Sequence, residues 1–170
     1  GSGSTIMDSL TADHGNLLIA SGSRELAYAY IKSWLDQCGD TEVLLCDPYF
    51  RPRDIDFIKD LFFHKDDLSF SILTCTSDVS TGDLDAEYSA AWADTAHVEP
   101  PPLKVVHVYF DGENSKSTIH DRWLLCGNSG LRIGTSVGSI GKAKLAELSR
   151  LAEGEVAEVR RALSPFLMHS

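Results

Sequence analysis

The sequence lacks any apolar run that approaches the ~18–20 residues a membrane-spanning helix needs. It also lacks a basic excess, because 15 Lys and Arg stand against 25 Asp and Glu and give a formal net charge of −10. Nucleic-acid binders usually present a basic face, and anionic membranes attract basic segments. We therefore expect no transmembrane segment. General adhesion to nucleic acids or membranes is disfavoured, although an acidic average still permits a local basic cleft.

Cysteine is scarce and shows no metal-ligand spacing. The four cysteines, Cys38, Cys46, Cys75 and Cys126, form no C-x-x-C pair, and three of them lie in apolar, strand-like runs. Their even number permits disulfides, but this setting favours reduced, buried thiols. We expect a cytoplasmic protein with no metal and no cofactor.

The length of 170 residues corresponds to one ordinary domain, and a hydrophobic content of 43% is enough to bury a core. Residues 1–4, Gly-Ser-Gly-Ser, resemble the remnant of an expression tag. We therefore place a single domain over residues 5–170.

Hydrophobic periodicity predicts an α/β fold. Apolar runs bounded by turn residues predict strands within 15–22, 42–50, 68–77 and 103–112, and a hairpin of two strands within 117–127 and 130–136. Helical spacing predicts helices within 23–39, 51–64 and 83–96, and a helical end over 142–167 with a break near Gly154. This order predicts a single-domain mixed sheet with helices on both faces.

The segment Ser117–Lys142 holds the residues most suited to chemistry. If a strand covers 119–125, alternation places His120 and Arg122 on the same face. Arginine offers a planar fork of donors to phosphate, and neutral histidine can attack phosphorus or move a proton. An isolated His-x-Arg more often pairs with acidic neighbours on an exposed strand, so the functional interpretation needs a second feature.

That second feature is the small-residue turn "GTSVGSIGK" after the hairpin. Thr135, Ser136 and Ser139 offer hydroxyls, Lys142 offers a cation, and a turn before a helix is a natural anion site. The turn is not a nucleotide P-loop, because Ser136 stands where that motif needs glycine and Ala143 where it needs Ser or Thr.

Two further residues are candidates for a functional site. Asp47 follows the apolar residues 43–46 within the predicted strand segment 42–50. Acids at strand ends in α/β folds often face a site, but Asp-Pro is also a common turn starter and that interpretation is favoured. His107 alternates on a strand with Val105 and Tyr109 and is expected to be a packed histidine.

Taken together, the His-x-Arg strand, the hairpin and the "GTS" turn resemble the half-site motif of the phospholipase D superfamily, H-x-K-x4-D-x6-G-S-x-N. His120 takes the histidine place, Arg122 the lysine place and Gly134 the glycine place. Gly127 stands in the aspartate place and Val137 in the asparagine place. The segment from His120 to Lys142 more closely resembles divergent phospholipase D-like domains of bacterial multidomain and defence proteins. It is also similar to a phospholipase D-like domain that follows a MIT domain in another protein.

The resemblance implies a phospholipase D-like half-unit that needs a homodimer or a partner domain to complete its site. Its implied catalytic residues are His120 and Arg122, and its implied phosphate-binding residues are Arg122, Thr135, Ser136, Ser139 and Lys142. The first hypothesis is a phosphate-recognising or self-associating module with a degenerate site. The alternatives are a homodimeric, metal-independent phosphodiesterase of nuclease or phospholipase type, with His120 as nucleophile through a phosphohistidine, and a membrane-surface module. Nucleic acid as a partner is left open.

Overall fold

The structure, a computed structural model, describes residues 16–76, 84–109, 119–142 and 145–168. The predicted tag at 1–4, the predicted helix start at Asp83 and the end of the predicted strand at 110–112 lie outside these ranges.

Strands and helices alternate through the first two thirds of the chain. In order, the elements are β1 (Asn16–Ile19), α1 (Arg24–Gln37), β2 (Glu42–Cys46), a 3₁₀ turn (Pro52–Asp54), α2 (Ile55–His64), β3 (Ser69–Thr76), α3 (Leu84–Thr95), β4 (Leu103–Tyr109), β5 (Arg122–Cys126), β6 (Ser129–Ile133), β7 (Ala146–Arg150) and α4 (Glu153–Met168). The sequence prediction of a mixed α/β domain is therefore confirmed.

The described strands form one mixed sheet in the order β1-β7-β6-β5-β2-β3-β4. β2, β3 and β4 run parallel, and β5 joins them by pairing antiparallel with β2. β6, β7 and β1 continue antiparallel. The point where β2 meets β5 is thus the boundary between the parallel and antiparallel halves of the sheet.

Two apolar clusters cover the two faces of this sheet. One face packs against α1, α2 and α3, with Tyr30, Leu35 and Phe57 in its core. The opposite face packs against α4 through Val156 and Leu163. The expected placement of helices on both faces is confirmed.

The hairpin between β5 and β6 explains one residue of the sequence motif. Its two turn residues are Gly127 and Asn128, and Gly127 has φ of 58°. Two-residue hairpins favour positive φ, a conformation that glycine adopts without a steric penalty. Gly127 is therefore accounted for by the turn.

The predicted helical segment before Gly154 is wrong. Residues 146–150 form β7, which pairs with β6 on one side and β1 on the other. Ala146 and Leu148 are buried while Glu147 between them is exposed, which is the period-two pattern of a strand. Two neighbouring strands supply hydrogen bonds that outweigh the helix propensity of a short Ala-Glu-Leu segment. The turn ending at Lys142 consequently does not open a helix.

All four cysteines are buried, and none of them forms a disulfide. Burial raises the pKa of the Cys46 and Cys126 thiols to about 12. The predicted reduced, buried thiols are thus confirmed. Within the ranges that the structure describes, no helix has both the length and the apolar character needed to cross a membrane.

Candidate functional site

A polar cavity of about 580 Å³ lies where the carboxyl end of β2 meets the amino end of β5. Three segments that are distant in sequence form its walls: the turn after β2, the start of β5, and the loop after β6. Its lining residues are Tyr49, Arg53, Asp54, Arg122, Thr135, Ser136, Gly138, Ser139 and Lys142.

The cavity gathers all five residues predicted to bind phosphate, namely Arg122, Thr135, Ser136, Ser139 and Lys142. The structure also brings in Tyr49 and Arg53, which the sequence interpretation missed. The sequence does contain a weak indication of Tyr49 and Arg53. Both lie in "DPYFRPRD", which directly follows a buried strand, and side chains at such strand ends often face a site.

His120 is not brought into this cavity. β5 begins at Arg122, and His120 lies before it in an exposed, irregular position. The alternation argument that paired His120 with Arg122 assumed a strand from residue 119, so its premise is wrong. Among the described residues that line the cavity, no histidine is present.

Arg122 contacts an aromatic ring and forms no ion pair with an acid among the described residues. Its guanidinium carbon lies 5.3 Å from the centroid of the Tyr49 ring. Its Nε is buried and has no hydrogen-bond partner among the described residues. Cation–π contact orients a guanidinium without neutralising its charge. Arg122 thus keeps its positive charge available at the cavity wall.

The cavity is locally basic in an acidic chain. Arg53, Arg122 and Lys142 are three cations against the single carboxylate of Asp54. The described residues form two ion pairs, and both lie on α1 and α2, away from the cavity. Within the described part of the chain, none of the three cavity cations therefore has an acidic partner at ion-pair distance. Neighbouring Arg51 differs, since its Nη1 donates to the carbonyl oxygens of Pro48 and Phe50.

Asp47 fixes the loop that forms one wall of the cavity. It is fully buried, and its Oδ2 accepts hydrogen bonds from the Ser136 hydroxyl at 2.8 Å and the Val137 N–H at 2.9 Å. Its Oδ1 accepts from the Tyr49 N–H at 3.0 Å. Burial raises the pKa of Asp47, while these hydrogen bonds and the charge of Arg122 oppose the rise. Asp47 holds the site together without lining it.

The hydroxyl of Ser136 is already engaged by this arrangement. It donates to Asp47, so it is not free to donate to an anion in the cavity. Ser136 therefore positions the loop. The partly buried Thr135 and the exposed Ser139 line the cavity, and neither hydroxyl makes a hydrogen bond to another described residue.

A second anchor holds the far end of the same loop. Nη1 of Arg24 donates to the carbonyl oxygens of Val137 and Ile140, at 3.2 and 2.8 Å. The Lys142 N–H donates to the Ser139 carbonyl at 3.1 Å. With Asp47 at one end and Arg24 at the other, the loop positions are set before any ligand binds.

His107, expected to be packed, lies in β4 with its ring centroid 6.3 Å from that of Tyr88. Its Nε2 is buried and unpartnered among the described residues, and burial lowers the pKa of His107. It belongs to the packing between α3 and the sheet, and it does not line the cavity.

The chain matches no family model and no curated protein. Fourteen chains of solved structures match it. One is TrmBL2, described as an archaeal chromatin protein whose structure shows a novel mode of DNA binding. That match has 12% sequence identity and a TM-score of 0.51, and it covers 97% of this chain. The chain spans 57% of the length of TrmBL2, and the likeness concerns the fold alone.

These comparisons contradict the resemblance to the phospholipase D superfamily. No family model supports it, and the structural similarity is to a chromatin protein. The expectations that rested on it are corrected with it: the H-x-K half-site motif with a degenerate active site, a phosphodiesterase, and a place in bacterial defence. The position of His120 outside both β5 and the cavity agrees with this correction.

Proposed function

We propose that this domain is a phosphate-recognising module. The observation that carries the proposal is the cavity itself, in which Arg53, Arg122 and Lys142 converge with the hydroxyls of Thr135 and Ser139. Guanidinium and ammonium groups with adjacent hydroxyl donors are the groups that proteins use to bind phosphate oxygens.

The charge balance supports this proposal. The chain has a net charge of −10, so a general excess of cations does not explain why three of them line one cavity. Three like charges in one cavity repel one another, which destabilises the folded state unless the repulsion is offset. An anionic ligand relieves the part of that repulsion that Asp54 and the buried Asp47 do not offset. The site is therefore most stable when an anion occupies it.

The fixed loop supports it further. Asp47 and Arg24 hold residues 136–140 from both ends, so little backbone freedom is lost when a ligand binds. The cations lie on three separate, rigid segments, which favours a compact anion that all of them can reach at once.

The net charge also bears on which phosphate ligand is bound. DNA binding is described for TrmBL2, a structural neighbour at 12% identity. A duplex presents phosphates along its whole length, so the net negative charge of this chain opposes its binding. A small phosphate ligand meets only the cavity and is favoured for that reason. The homodimer or partner domain anticipated from the sequence stays a prediction.

Thermal unfolding in the presence of inorganic phosphate tests the proposal. A ligand present at about 100 times its Kd stabilises the folded state by about 2.7 kcal/mol, a shift of several degrees in Tm. We expect this shift for the wild type and its loss in Arg122→Ala. Arg132→Ala is the matched control, because Arg132 is an exposed arginine of β6 outside the cavity.

Equal shifts in all three proteins, or no shift in the wild type up to near-molar phosphate at constant ionic strength, would overturn the proposal. Constant ionic strength separates binding at the cavity from general salt effects on stability.

A further inference from the structure

The ring of Tyr49 is placed as a second recognition element beside the cations. Tyr49 lines the cavity, yet it is 57% exposed. Its backbone is fixed, because its N–H donates to the buried Asp47. The ring therefore stands at the cavity rim on a rigid turn rather than on a loose loop.

One face of this ring is occupied by Arg122, whose guanidinium carbon lies 5.3 Å from the ring centroid. The high exposure of the side chain leaves the remaining ring surface available to a ligand. A ligand whose phosphate binds Arg122 therefore lies beside the ring of Tyr49, because Arg122 contacts that ring. Nucleic-acid bases stack on such rings, and every base offers a flat π face.

We propose that the cavity binds a free nucleoside monophosphate, with its phosphate on Arg122 and its base stacked on Tyr49. This inference rests on the proposed phosphate recognition and names its ligand class. The cavity volume of about 580 Å³ falls within the usual range for small-molecule sites. The net charge of −10 favours a single nucleotide over a strand, because a negatively charged chain repels a longer polyanion more strongly.

Calorimetric titration with four probes separates the two recognition elements. The probes are inorganic phosphate, ribose 5-phosphate, adenosine 5′-monophosphate and adenosine. For the wild type we expect adenosine monophosphate to bind about tenfold more tightly than ribose 5-phosphate, the usual scale of one stacked base. Adenosine, which lacks the phosphate, is expected to bind far more weakly than the monophosphate.

Variants of Tyr49 assign the stacking to this ring. Tyr49→Phe should retain the tenfold preference, because the ring is kept. Tyr49→Leu should bind adenosine monophosphate no better than ribose 5-phosphate. Because the ring also contacts Arg122, the measurement is the ratio of these two affinities within the variant, which a change at Arg122 alters equally for both probes. Phe63→Ala is the matched control, since Phe63 is 58% exposed on α2 and lies outside the cavity lining.

The outcomes distinguish failure of the inference from failure of the proposed function. If phosphate and ribose 5-phosphate bind but adenosine monophosphate is no tighter, or if Tyr49→Leu keeps the preference, the nucleotide inference is overturned and phosphate recognition stands. If no phosphate-bearing probe binds, both proposals fall. A 5′-phosphorylated oligonucleotide that binds more tightly than adenosine monophosphate would overturn the assignment to a free nucleotide.

Discussion

The Ser136 hydroxyl donates a 2.8 Å hydrogen bond to Oδ2 of the fully buried Asp47, 89 residues earlier in the chain. This bond ties the end of β2 to the loop after β6. Because Arg53, Arg122 and Lys142 come from different segments, their convergence depends on such ties. The contact is therefore one of the ties that hold the cavity walls together, beside the pairing of β2 with β5.

Removal of the Asp47 carboxyl group should lower stability markedly. Asp47→Ala leaves the Ser136 hydroxyl and the Val137 and Tyr49 N–H groups without their acceptor, so we expect the free energy of unfolding to fall by about 2–4 kcal/mol. Ser136→Ala removes one donor only and should cost about 1 kcal/mol. Urea unfolding measures both. Equal losses in the two variants would contradict the role of Asp47 as a shared acceptor.

The pH dependence of stability should carry the signature of Asp47. Burial raises its folded-state pKa above the ordinary value of 3.8, so the folded state holds a proton that the unfolded state releases. Stability contributed by this group is therefore greatest below about pH 4 and declines as pH rises through the folded-state pKa. Asp47→Asn lacks this titration.

The test is urea unfolding of the wild type and of Asp47→Asn, measured from below about pH 4 to above the folded-state pKa of Asp47. The wild type should lose stability relative to Asp47→Asn as pH increases, and the difference should level off above the folded-state pKa. A difference that grows in favour of the wild type with rising pH would show that the pKa is lowered, contrary to this account.

Gly141 should not tolerate a side chain. Its φ is 71°, and a Cβ there would collide with the backbone nitrogen and Cα of Arg24 and lie 2.8 Å from the Ser23 carbonyl carbon. We expect Gly141→Ala to lower the free energy of unfolding by about 2–4 kcal/mol, because backbone must move. Gly154→Ala is the control: nothing lies within 4 Å of its Cβ position on α4, so alanine should be neutral or stabilise by up to about 1 kcal/mol. Thermal or urea unfolding that finds Gly141→Ala as stable as the wild type would contradict the tight contact with α1.

Alanine substitutions at Leu145 and Leu148 test whether residues 146–150 form the strand β7. Leu148 is fully buried in the sheet, whereas Leu145 just before the strand is 64% exposed. Leu148→Ala should therefore cost about 2–5 kcal/mol and Leu145→Ala about 0.5 kcal/mol or less. In a helix the two residues would share a face, and their substitutions would cost similar amounts. Urea unfolding decides between these arrangements.

The sequence predicted most of the fold because its first six strands carry strong local signals. The run at 43–46 is continuously apolar, as a buried parallel strand requires, and the Gly-Asn turn at 127–128 predicts the hairpin between β5 and β6. β7 gave no such signal, because Ala146–Arg150 is short and rich in helix formers. Its strand conformation comes from pairing on both sides with β1 and β6, which no local pattern reveals.

The site was predictable only where its residues lie close together in the sequence. Arg122 and the hydroxyl-rich loop are close in sequence, joined by one hairpin, so alternation and turn composition brought them together. Tyr49 and Arg53 reach the cavity only because β5 pairs antiparallel with β2, a contact between residues about 80 positions apart. The pairing of His120 with Arg122 on one strand face was wrong, because β5 begins at Arg122, three residues later than the strand start expected at residue 119.

Direct calorimetric titration of inorganic phosphate into the wild type, Arg122→Ala, Lys142→Ala and Arg132→Ala tests the central claim. The cavity predicts saturable binding with a stoichiometry of about one per chain, at least tenfold weakened in Arg122→Ala and weakened in Lys142→Ala. Arg132→Ala, with the same loss of charge outside the cavity, should bind like the wild type. Absence of binding to the wild type, or equal weakening in all three variants, would contradict phosphate recognition by this cavity.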